Sequence, residues 1–416
     1  MKKRILALSL AAAMLVGAMA SCNAKEEVVS SQAVEARDIT LTLWGPEQEN
    51  EYLKEVSAAW AEKYAADHED VKSVTVDVQI KGEDNSAEEA NNDITAAADI
   101  FGVASDKIKG LADANAIYKI PESVASEIKG IVGDNTTFNS SYWDGTCYGV
   151  PYTDNTAAIL YYDKSKFTAD EAKDLNAMLE KGKIAIEVGG GWYDNCWFST
   201  AGCTFFQGDN KADINVAPDT AKMIAWVAAQ VKEGKIVDIG SSDDGAALAT
   251  DGQVDAVIYG LWARAKFEKA FGDNYAAAEL PNVTVEGTGI TGKHMNCFGG
   301  CKLNVINANT KEPEAAMDLA LTIISLDNQI KRFEMSGTAP ASPSLLDKVS
   351  SDATVAADVA QAAMALKASS LNGVAGYWSA MGDIMNEVAA GTLSEEADIQ
   401  AKLDAGVAAM TEAVNK

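Results

Sequence analysis

Alternation between short apolar strands and amphipathic helices is the feature that most limits the possible folds of this chain. The stretch "DITLTLWG" (38–45) places apolar side chains at every second position, and "VKSVTVDVQI" (71–80) repeats that pattern. Between them, apolar residues from Tyr52 to Tyr64 recur at helical spacing. A further helix and a short buried strand at 100–103 follow. This order predicts an α/β fold with mainly parallel sheets covered by helices.

The same pattern returns later in the chain and predicts two lobes. Strands are predicted at 157–162, 182–189, 254–260 and 300–310, with helices at 219–234 and from Pro313 onward. A chain of 416 residues normally forms about two domains. Because strands continue past residue 300, we expect the lobes to be interleaved. The predicted lobes are 38–153 plus 300–346 and 154–299 plus 347–416.

The N-terminal residues have the pattern of an export signal followed by a polar linker. Basic residues at 2–4 precede an apolar run too short for a comfortable membrane span, and the small residues "AMASC" come next. The last four of these resemble a bacterial lipobox, which makes Cys22 the predicted lipid attachment site. Residues 18–20 fit an ordinary signal peptidase site instead. We predict a lipoprotein-type signal peptide at 1–21, a flexible linker at 22–37, and a location on the extracellular face of the cell membrane, lipid-anchored, or in the periplasm.

The negative net charge and the small number of histidines exclude several classes of partner and cofactor. The net charge of −27 repels phosphate backbones, so no nucleic acid partner is expected. The chain has two histidines, His68 and His294, and no C-x-x-C motif, so we predict neither a metal site nor a cofactor. If Cys22 carries lipid, an odd number of cysteines remains and at least one is unpaired or pairs externally. Their spacing leaves the pairing open; they are Cys147, Cys196, Cys203, Cys297 and Cys301.

Several segments, in this order, resemble one family. They are the export signal, "ITLTLWG", "ADIFGVASDKIKGLADANAIYKI" (98–120), "GVPYTDNTAAILYYDKSKF" (149–167), "VDAVIYGLWARAKF" (254–267) and, more weakly, the C-terminal helical region. The set resembles the extracellular sugar-binding proteins of bacterial ABC importers, specifically the maltose/maltodextrin-binding group. The resemblance implies a two-lobed, periplasmic-binding-protein-like fold with a hinge. It also implies an oligosaccharide held in the cleft between the lobes, an ABC permease as membrane partner, and a monomer.

The resemblance also implies which residues hold the sugar. An acidic residue followed by a basic one after the third strand matches Asp106–Lys107, and Trp262 and Trp378 match closely. The other positions match less directly, and Val103 and Gly382 replace an aromatic and an arginine of the family pattern. The resemblance therefore implies a sugar more strongly than it implies maltose. The predicted sugar-binding residues are Trp44, Glu47, Gln48, Asp106, Lys107, Asp154, Asn155, Trp192, Tyr193, Trp262, Tyr377 and Trp378.

The chemistry of these residues suits a sugar, although each also has a structural interpretation. Carboxylates and amides bind rim hydroxyls, and aromatic faces cover the C–H patches of the ring. Trp44 ends a strand and could equally belong to the core, and Asp106 could cap a helix. Tryptophans on apolar helix faces, Trp60 and Trp226, are predicted to be core. The stretch "GGGWYDNCWF" (189–198) is predicted to be a flexible, exposed aromatic loop.

An extracellular glycosidase is the main alternative function, since it too would be exported, acidic and rich in carboxylates. The chain lacks the eight strand–helix units of a glycosidase barrel. The motif G-x-S-x-G is absent, which disfavours a serine hydrolase. The sequence also lacks the internal repeats expected of an adhesive surface protein. We predict a binding protein rather than an enzyme. Its expected ligand is a malto-oligosaccharide, and a non-glucan oligosaccharide is the second possibility.

Overall fold

The computed structural model describes residues 36–153, 157–189, 191–204, 216–240, 245–367 and 374–414. The strands are β1 (Arg37–Gly45), β2 (Val71–Ile80), β3 (Ile100–Ala104), β4 (Tyr142–Trp143), β5 (Thr146–Cys147), β6 (Gly149–Pro151), β7 (Ala158–Asp163), β8 (Ile184–Ile186), β9 (Ile236–Asp238), β10 (Ala256–Gly260), β11 (Tyr275–Ala278), β12 (Asn282–Val283), β13 (Lys293–His294), β14 (Phe298–Gly299), β15 (Lys302–Ile306) and β16 (Leu366–Lys367).

The α-helices are α1 (Asn50–Asp67), α2 (Glu83–Asn92), α3 (Ile108–Asp113), α4 (Glu122–Val132), α5 (Thr136–Asn139), α6 (Leu175–Lys181), α7 (Asn195–Ala201), α8 (Thr220–Lys232), α9 (Ala246–Thr250), α10 (Arg264–Phe271), α11 (Pro313–Ile323), α12 (Leu326–Ser336), α13 (Pro343–Val349), α14 (Ala353–Ala362), α15 (Val374–Ala389) and α16 (Glu396–Val414). Short 3₁₀ turns lie at Glu47–Glu49, Ser105–Lys107, Glu171–Lys173, Leu261–Ala263 and Gly272–Asn274, and three of them follow β1, β3 and β10.

The first lobe is built on a five-stranded sheet with the order β2-β1-β3-β15-β6. β1 pairs in parallel with β2 and β3, while β15 runs antiparallel to β3 and β6. Side chains alternate between two packed faces: Leu43 joins a cluster with α1 and α11, and Trp44 joins one with Phe101 and Leu303. Both faces are therefore covered, as expected for a mainly parallel sheet.

The second lobe is built on another five-stranded sheet, with the order β11-β7-β10-β8-β9. β8, β9 and β10 run parallel, and β7 is antiparallel to β10 and β11. Leu160 and Ile258 face a cluster that includes α7, α8 and α15, whereas Tyr161 and Val257 face α10 and α14. This sheet is also covered on both sides.

The predicted two-lobed α/β fold is confirmed. β2 covers the predicted residues 71–80, and α11 begins at Pro313 as its sequence indicates. β15 lies inside the sheet of the first lobe, although it follows the strands of the second lobe in the chain. Trp60 is only 3% exposed, in agreement with its predicted place in the core. The residue bounds assigned to each lobe stay a prediction. Of the described helices, none combines the length and the apolar character needed to cross a membrane.

A buried ion pair fastens α12 to the first lobe. The Arg332 guanidinium bonds to Glu49 Oε1 at 2.5 Å, and the two side chains are 3% and 5% exposed. Arg332 also donates to the carbonyl oxygen of Tyr152, and its guanidinium lies 4.8 Å from the centre of the Tyr152 ring. One cation thus joins α12 to the turn after β1 and to the segment after β6.

We expect Glu49→Gln to destabilise the protein by about 3–5 kcal/mol, because it leaves the Arg332 charge buried without its carboxylate. Urea unfolding measures the change. Glu55→Gln is the matched control: it breaks the exposed Lys331–Glu55 pair and should change stability by less than about 1 kcal/mol. Equal effects of the two substitutions would contradict a structural role for the buried pair.

Candidate functional site

Strand direction brings several chain segments to one edge of the first sheet. β1, β2 and β3 are parallel and end at this edge, whereas the antiparallel β15 begins there, with Lys302 paired to Ala104. β6 ends beside it, with Pro151 paired to Leu303. Ligands of open α/β sheets bind beyond the carboxyl ends of the strands. The side chains at this edge, and those after β8 and β10 of the second sheet, therefore form the candidate site.

Trp262 lies just after β10 and is half-buried. Its six-membered ring folds back over Gly260, where a Cβ would come within 2.2 Å of the indole. Only glycine permits this close approach. The indole meets Tyr259 edge to face at 5.7 Å between ring centres, which fixes its orientation. The ring is thus held on a strand end and is not part of a helix face.

A charged group of the first lobe lies over this ring. The Lys302 ammonium is 5.0 Å from the centre of the Trp262 ring and 2.9 Å from Glu83 Oε1. The hydroxyl of Tyr152 donates to the same carboxylate oxygen at 2.7 Å. Burial acts to raise the pKa of Glu83, but the Lys302 ammonium and the Tyr152 hydroxyl outweigh it and lower that pKa. Gly102 leaves room for the pair, since a Cβ there would lie 2.8 Å from the Tyr152 hydroxyl.

Trp192 lies near the turn that follows β3. It is half-buried, and its ring packs at 6.0 Å from that of Phe298. A Cβ built on Gly300 would lie 4.0 Å from the Trp192 ring and 3.7 Å from the Ser105 hydroxyl. Gly300 therefore lies between Trp192 and Ser105. This position places the second-lobe indole close to the 3₁₀ turn that carries Asp106 and Lys107.

Asp106 and Lys107 are both partly exposed in that turn. Their charged groups are 3.1 Å apart, with side-chain exposures of 10% and 36%. Asp106 is the central residue of the turn, and the residues that precede the turn and α3 are Ala104 and Lys107. Asp106 is therefore not the N-cap residue of this turn or of α3.

Two other predicted aromatic residues lie inside the lobes. Trp44 is 4% exposed, donates from Nε1 to Gln79 at 3.0 Å and has the Lys81 ammonium 3.8 Å from its ring centre. Tyr193, also 4% exposed, stacks on Tyr259 at 4.9 Å, and its hydroxyl accepts from the Gly260 amide at 3.2 Å. Both rings pack against their own lobe, so sugar contact by either one stays a prediction.

The interpretation of 189–198 as a flexible, exposed aromatic loop is wrong for most of its described residues. Trp197 and Phe198 are 1% and 0% exposed and belong to α7. This short helix begins at Asn195, and the apolar residues Cys196 to Phe198 are buried in its first turn. Trp192 is the aromatic residue of this stretch that remains partly exposed.

The remaining predicted residues are only partly described. Glu47 and Gln48 are exposed and line a surface cavity of about 290 Å³ with Tyr52, Ile80 and Met335. Asp154, Asn155 and Cys22 lie outside the described residues, and Tyr377 and Trp378 belong to α15 without described side chains. Their predicted roles stay predictions.

A buried and a half-buried carboxyl group, Asp194 and Glu187, occupy the loop that follows β8. Asp194 is fully buried; its Oδ2 accepts from the Gly191 amide at 3.0 Å, and Oδ1 has no hydrogen-bond partner among the described residues. Burial raises the pKa of Asp194 to about 8, and the nearby Glu187 adds to the shift. Burial and then the Asp238 charge raise the pKa of Glu187 to about 7. This part of the second lobe thus favours protonated carboxyls near neutral pH.

Sequence reasoning missed Glu83, Tyr152, Lys302 and Glu187. Glu187 directly follows β8, and Glu83 comes shortly after β2 as the first residue of α2. A carboxylate just beyond a strand end is a signal that could have found both. Lys302 begins a strand and reaches the same edge only because β15 is antiparallel. That direction is not readable from the alternation of side chains, so no local pattern identifies Lys302.

Metal-ligating side chains and cysteines are scattered among the described residues. In the part of the chain that the structure covers, no group of three His, Cys, Asp or Glu side chains could hold a metal ion. The five cysteines from Cys147 onward are buried thiols, and no disulfide joins any two of them. The groups that the structure brings together at the site are aromatic, charged and hydroxyl groups.

Comparison with known proteins gives a consistent result. The sequence profile of a family described as bacterial extracellular solute-binding protein matches residues 59–363. A galactooligosaccharide-binding protein of Bacillus subtilis (strain 168) is 26% identical over 352 residues, which cover 79% of this chain and 78% of that protein.

Two solved structures are similar in fold. The maltodextrin-binding protein of L. casei BL23, solved without ligand, superposes with a TM-score of 0.75 at 23% identity and covers 89% of this chain and 98% of its own. A structure solved with acarbose gives a TM-score of 0.75 at 27% identity, covering 88% of this chain and 99% of its own.

We expect Asp194→Asn to stabilise the protein increasingly as pH rises from 5 to 8. The raised pKa means that folded Asp194 keeps its proton where the unfolded chain has lost it, so the wild-type protein loses up to about 1.4 kcal/mol of stability per pH unit in this window. The amide introduced by Asp194→Asn does not titrate, so the variant does not lose this stability as pH rises. Urea unfolding at pH 5 and pH 8 measures the difference between the two proteins. A constant difference across these pH values would contradict a buried, protonated Asp194.

Proposed function

Because this chain belongs to the family of bacterial extracellular solute-binding proteins, we propose that it captures an oligosaccharide outside the cytoplasm and delivers it to the permease of an ABC importer. The observation that carries the proposal is the position of Trp262, a half-buried indole of the second lobe that faces a charged group of the first. A sugar needs an aromatic surface for its C–H face and polar groups for its rim. This geometry supplies both from opposite sides of one cleft.

In the proposed complex, Trp262 and Trp192 carry the faces of successive sugar units. Asp106 and Lys107 bind rim hydroxyls from the first lobe, since a carboxylate accepts and an ammonium donates hydrogen bonds. The lobes close about their connecting segments when the ligand bridges them, and the closed form docks on the permease. A lipid on Cys22 keeps the protein at the membrane.

Malto-oligosaccharides are the first candidate ligands, and two observations support them. The sequence resembles the maltodextrin-binding group in several ordered segments, and the solved relative with 27% identity was obtained with acarbose. Galactooligosaccharides are the second candidate, because the curated relative with 26% identity is a galactooligosaccharide-binding protein. Both are neutral oligosaccharides with ring faces that an indole can cover.

Titration with malto-, galacto-, xylo- and fructo-oligosaccharides tests the function and separates these candidates. We expect saturable quenching of tryptophan fluorescence by malto- or galacto-oligosaccharides, because ligand contact changes the surroundings of Trp262. Chromatography of the same mixtures should detect no new products after prolonged incubation. Hydrolysed sugar would favour a glycosidase instead, and absence of binding to every sugar would contradict the proposal.

We expect Trp262→Ala to weaken oligosaccharide binding by about 1–3 kcal/mol, in the range of a lost aromatic anchor. Isothermal titration calorimetry measures the dissociation constant. Trp226→Ala is the control, because Trp226 is a partly buried indole of the same lobe that lies on α8. Trp226→Ala should leave the dissociation constant unchanged, and an equal loss in both variants would assign the effect to general destabilisation.

A further inference from the structure

Among the described residues, Lys302 combines a fixed position with unused hydrogen-bonding capacity. Its backbone amide donates to the Thr153 hydroxyl at 2.8 Å, and its carbonyl accepts from the Tyr152 amide at 3.0 Å. The ammonium has three N–H donors and no acceptor. Glu83 accounts for one of them, and the Lys302 side chain remains 19% exposed. Donors are thus available at a point that the first lobe fixes.

The position of the ammonium matches the rim of a stacked sugar. Carbon atoms in contact lie about 3.5–4.0 Å apart, so a pyranose resting on an indole has its ring about that far from it. Lys302 Nζ is 5.0 Å from the centre of the Trp262 ring. A sugar centred on the ring would overlap the ammonium, whereas a sugar stacked off-centre on the indole places a rim hydroxyl within hydrogen-bonding reach of it.

We propose that Lys302 is a specificity-determining residue, which donates a hydrogen bond to a hydroxyl of the sugar unit stacked on Trp262. Glu83, bonded to both Lys302 and Tyr152, is its positioning residue. The Glu83 carboxylate compensates the charge of the ammonium, so the pair suits a neutral oligosaccharide rather than an acidic one. This inference rests on the proposed oligosaccharide function.

The test uses Lys302→Met combined with Glu83→Gln, which removes both charges and leaves no buried carboxylate without its cation. Binding of maltotriose and of a galacto-trisaccharide is measured by fluorescence titration. The double variant should bind the preferred sugar at least tenfold more weakly than the wild-type protein. The control is Lys129→Met with Asp134→Asn, which removes an exposed lysine–aspartate pair of the first lobe and should bind as the wild-type protein does.

Monodeoxy analogues of the preferred sugar give a measurement that a purely structural role would not change. The analogue that lacks the hydroxyl bound by Lys302 should bind the wild-type protein at least tenfold more weakly than the parent sugar does. The double variant should bind this analogue and the parent sugar with equal affinity. If the double variant does not fold, Lys302→Arg keeps the charge but moves the donors, and it should change the ranking of the analogues.

The outcomes separate this inference from the function on which it rests. Unchanged affinity in the folded double variant, or an unchanged analogue ranking in Lys302→Arg, would overturn the role of Lys302 and leave oligosaccharide binding intact. A wild-type protein that binds neither trisaccharide would overturn both.

Discussion

The geometry of the cleft depends on the interactions of the buried Arg332 guanidinium. It binds Glu49 after β1 and the carbonyl of Tyr152 after β6, so three separate segments meet at one cation. The Tyr152 hydroxyl then holds Glu83, and Glu83 holds Lys302 beside Trp262 of the other lobe. Arg332, Glu49, Tyr152 and Glu83 are buried, and in a low-dielectric interior bonds between such groups are strong when complete and costly when broken. A polar network of this kind fixes side-chain positions that apolar packing alone would leave adjustable.

The two sides of the cleft have different chemistry. The first lobe presents ionised groups in compensated pairs, Glu83 with Lys302 and Asp106 with Lys107. The second lobe presents the indoles of Trp192 and Trp262, and its buried Asp194 and Glu187 have raised pKa values. A neutral, hydroxyl-rich ligand with apolar faces is complementary to this division. An acidic ligand would add uncompensated charge to a protein whose net charge is already −27.

The sequence predicted the fold well because strand and helix periods are local signals. The alternation in 71–80 and the helical spacing in α1 are readable from neighbouring residues alone, and their order determines the class. The site was harder to predict because burial is decided by distant residues. Trp44 and Trp262 both lie at strand ends. Trp44 is covered by Gln79 of β2 and by Lys81, which follows that strand, whereas Trp262 folds onto Gly260. Lys302 could not be identified at all, since its role depends on the antiparallel direction of β15.

The place of β15 in the first sheet also has a consequence for biosynthesis. It lies between β3 and β6, although nearly 200 residues separate it from β3 in the chain. The ribosome therefore makes most of the polypeptide before the sheet can gain its missing strand, and pairing so remote in sequence is slow to form. An incomplete sheet with open edges around the gap resists premature collapse into the native state. Such a nascent chain stays unfolded and competent for translocation for longer, which suits a protein that must cross a membrane before it folds.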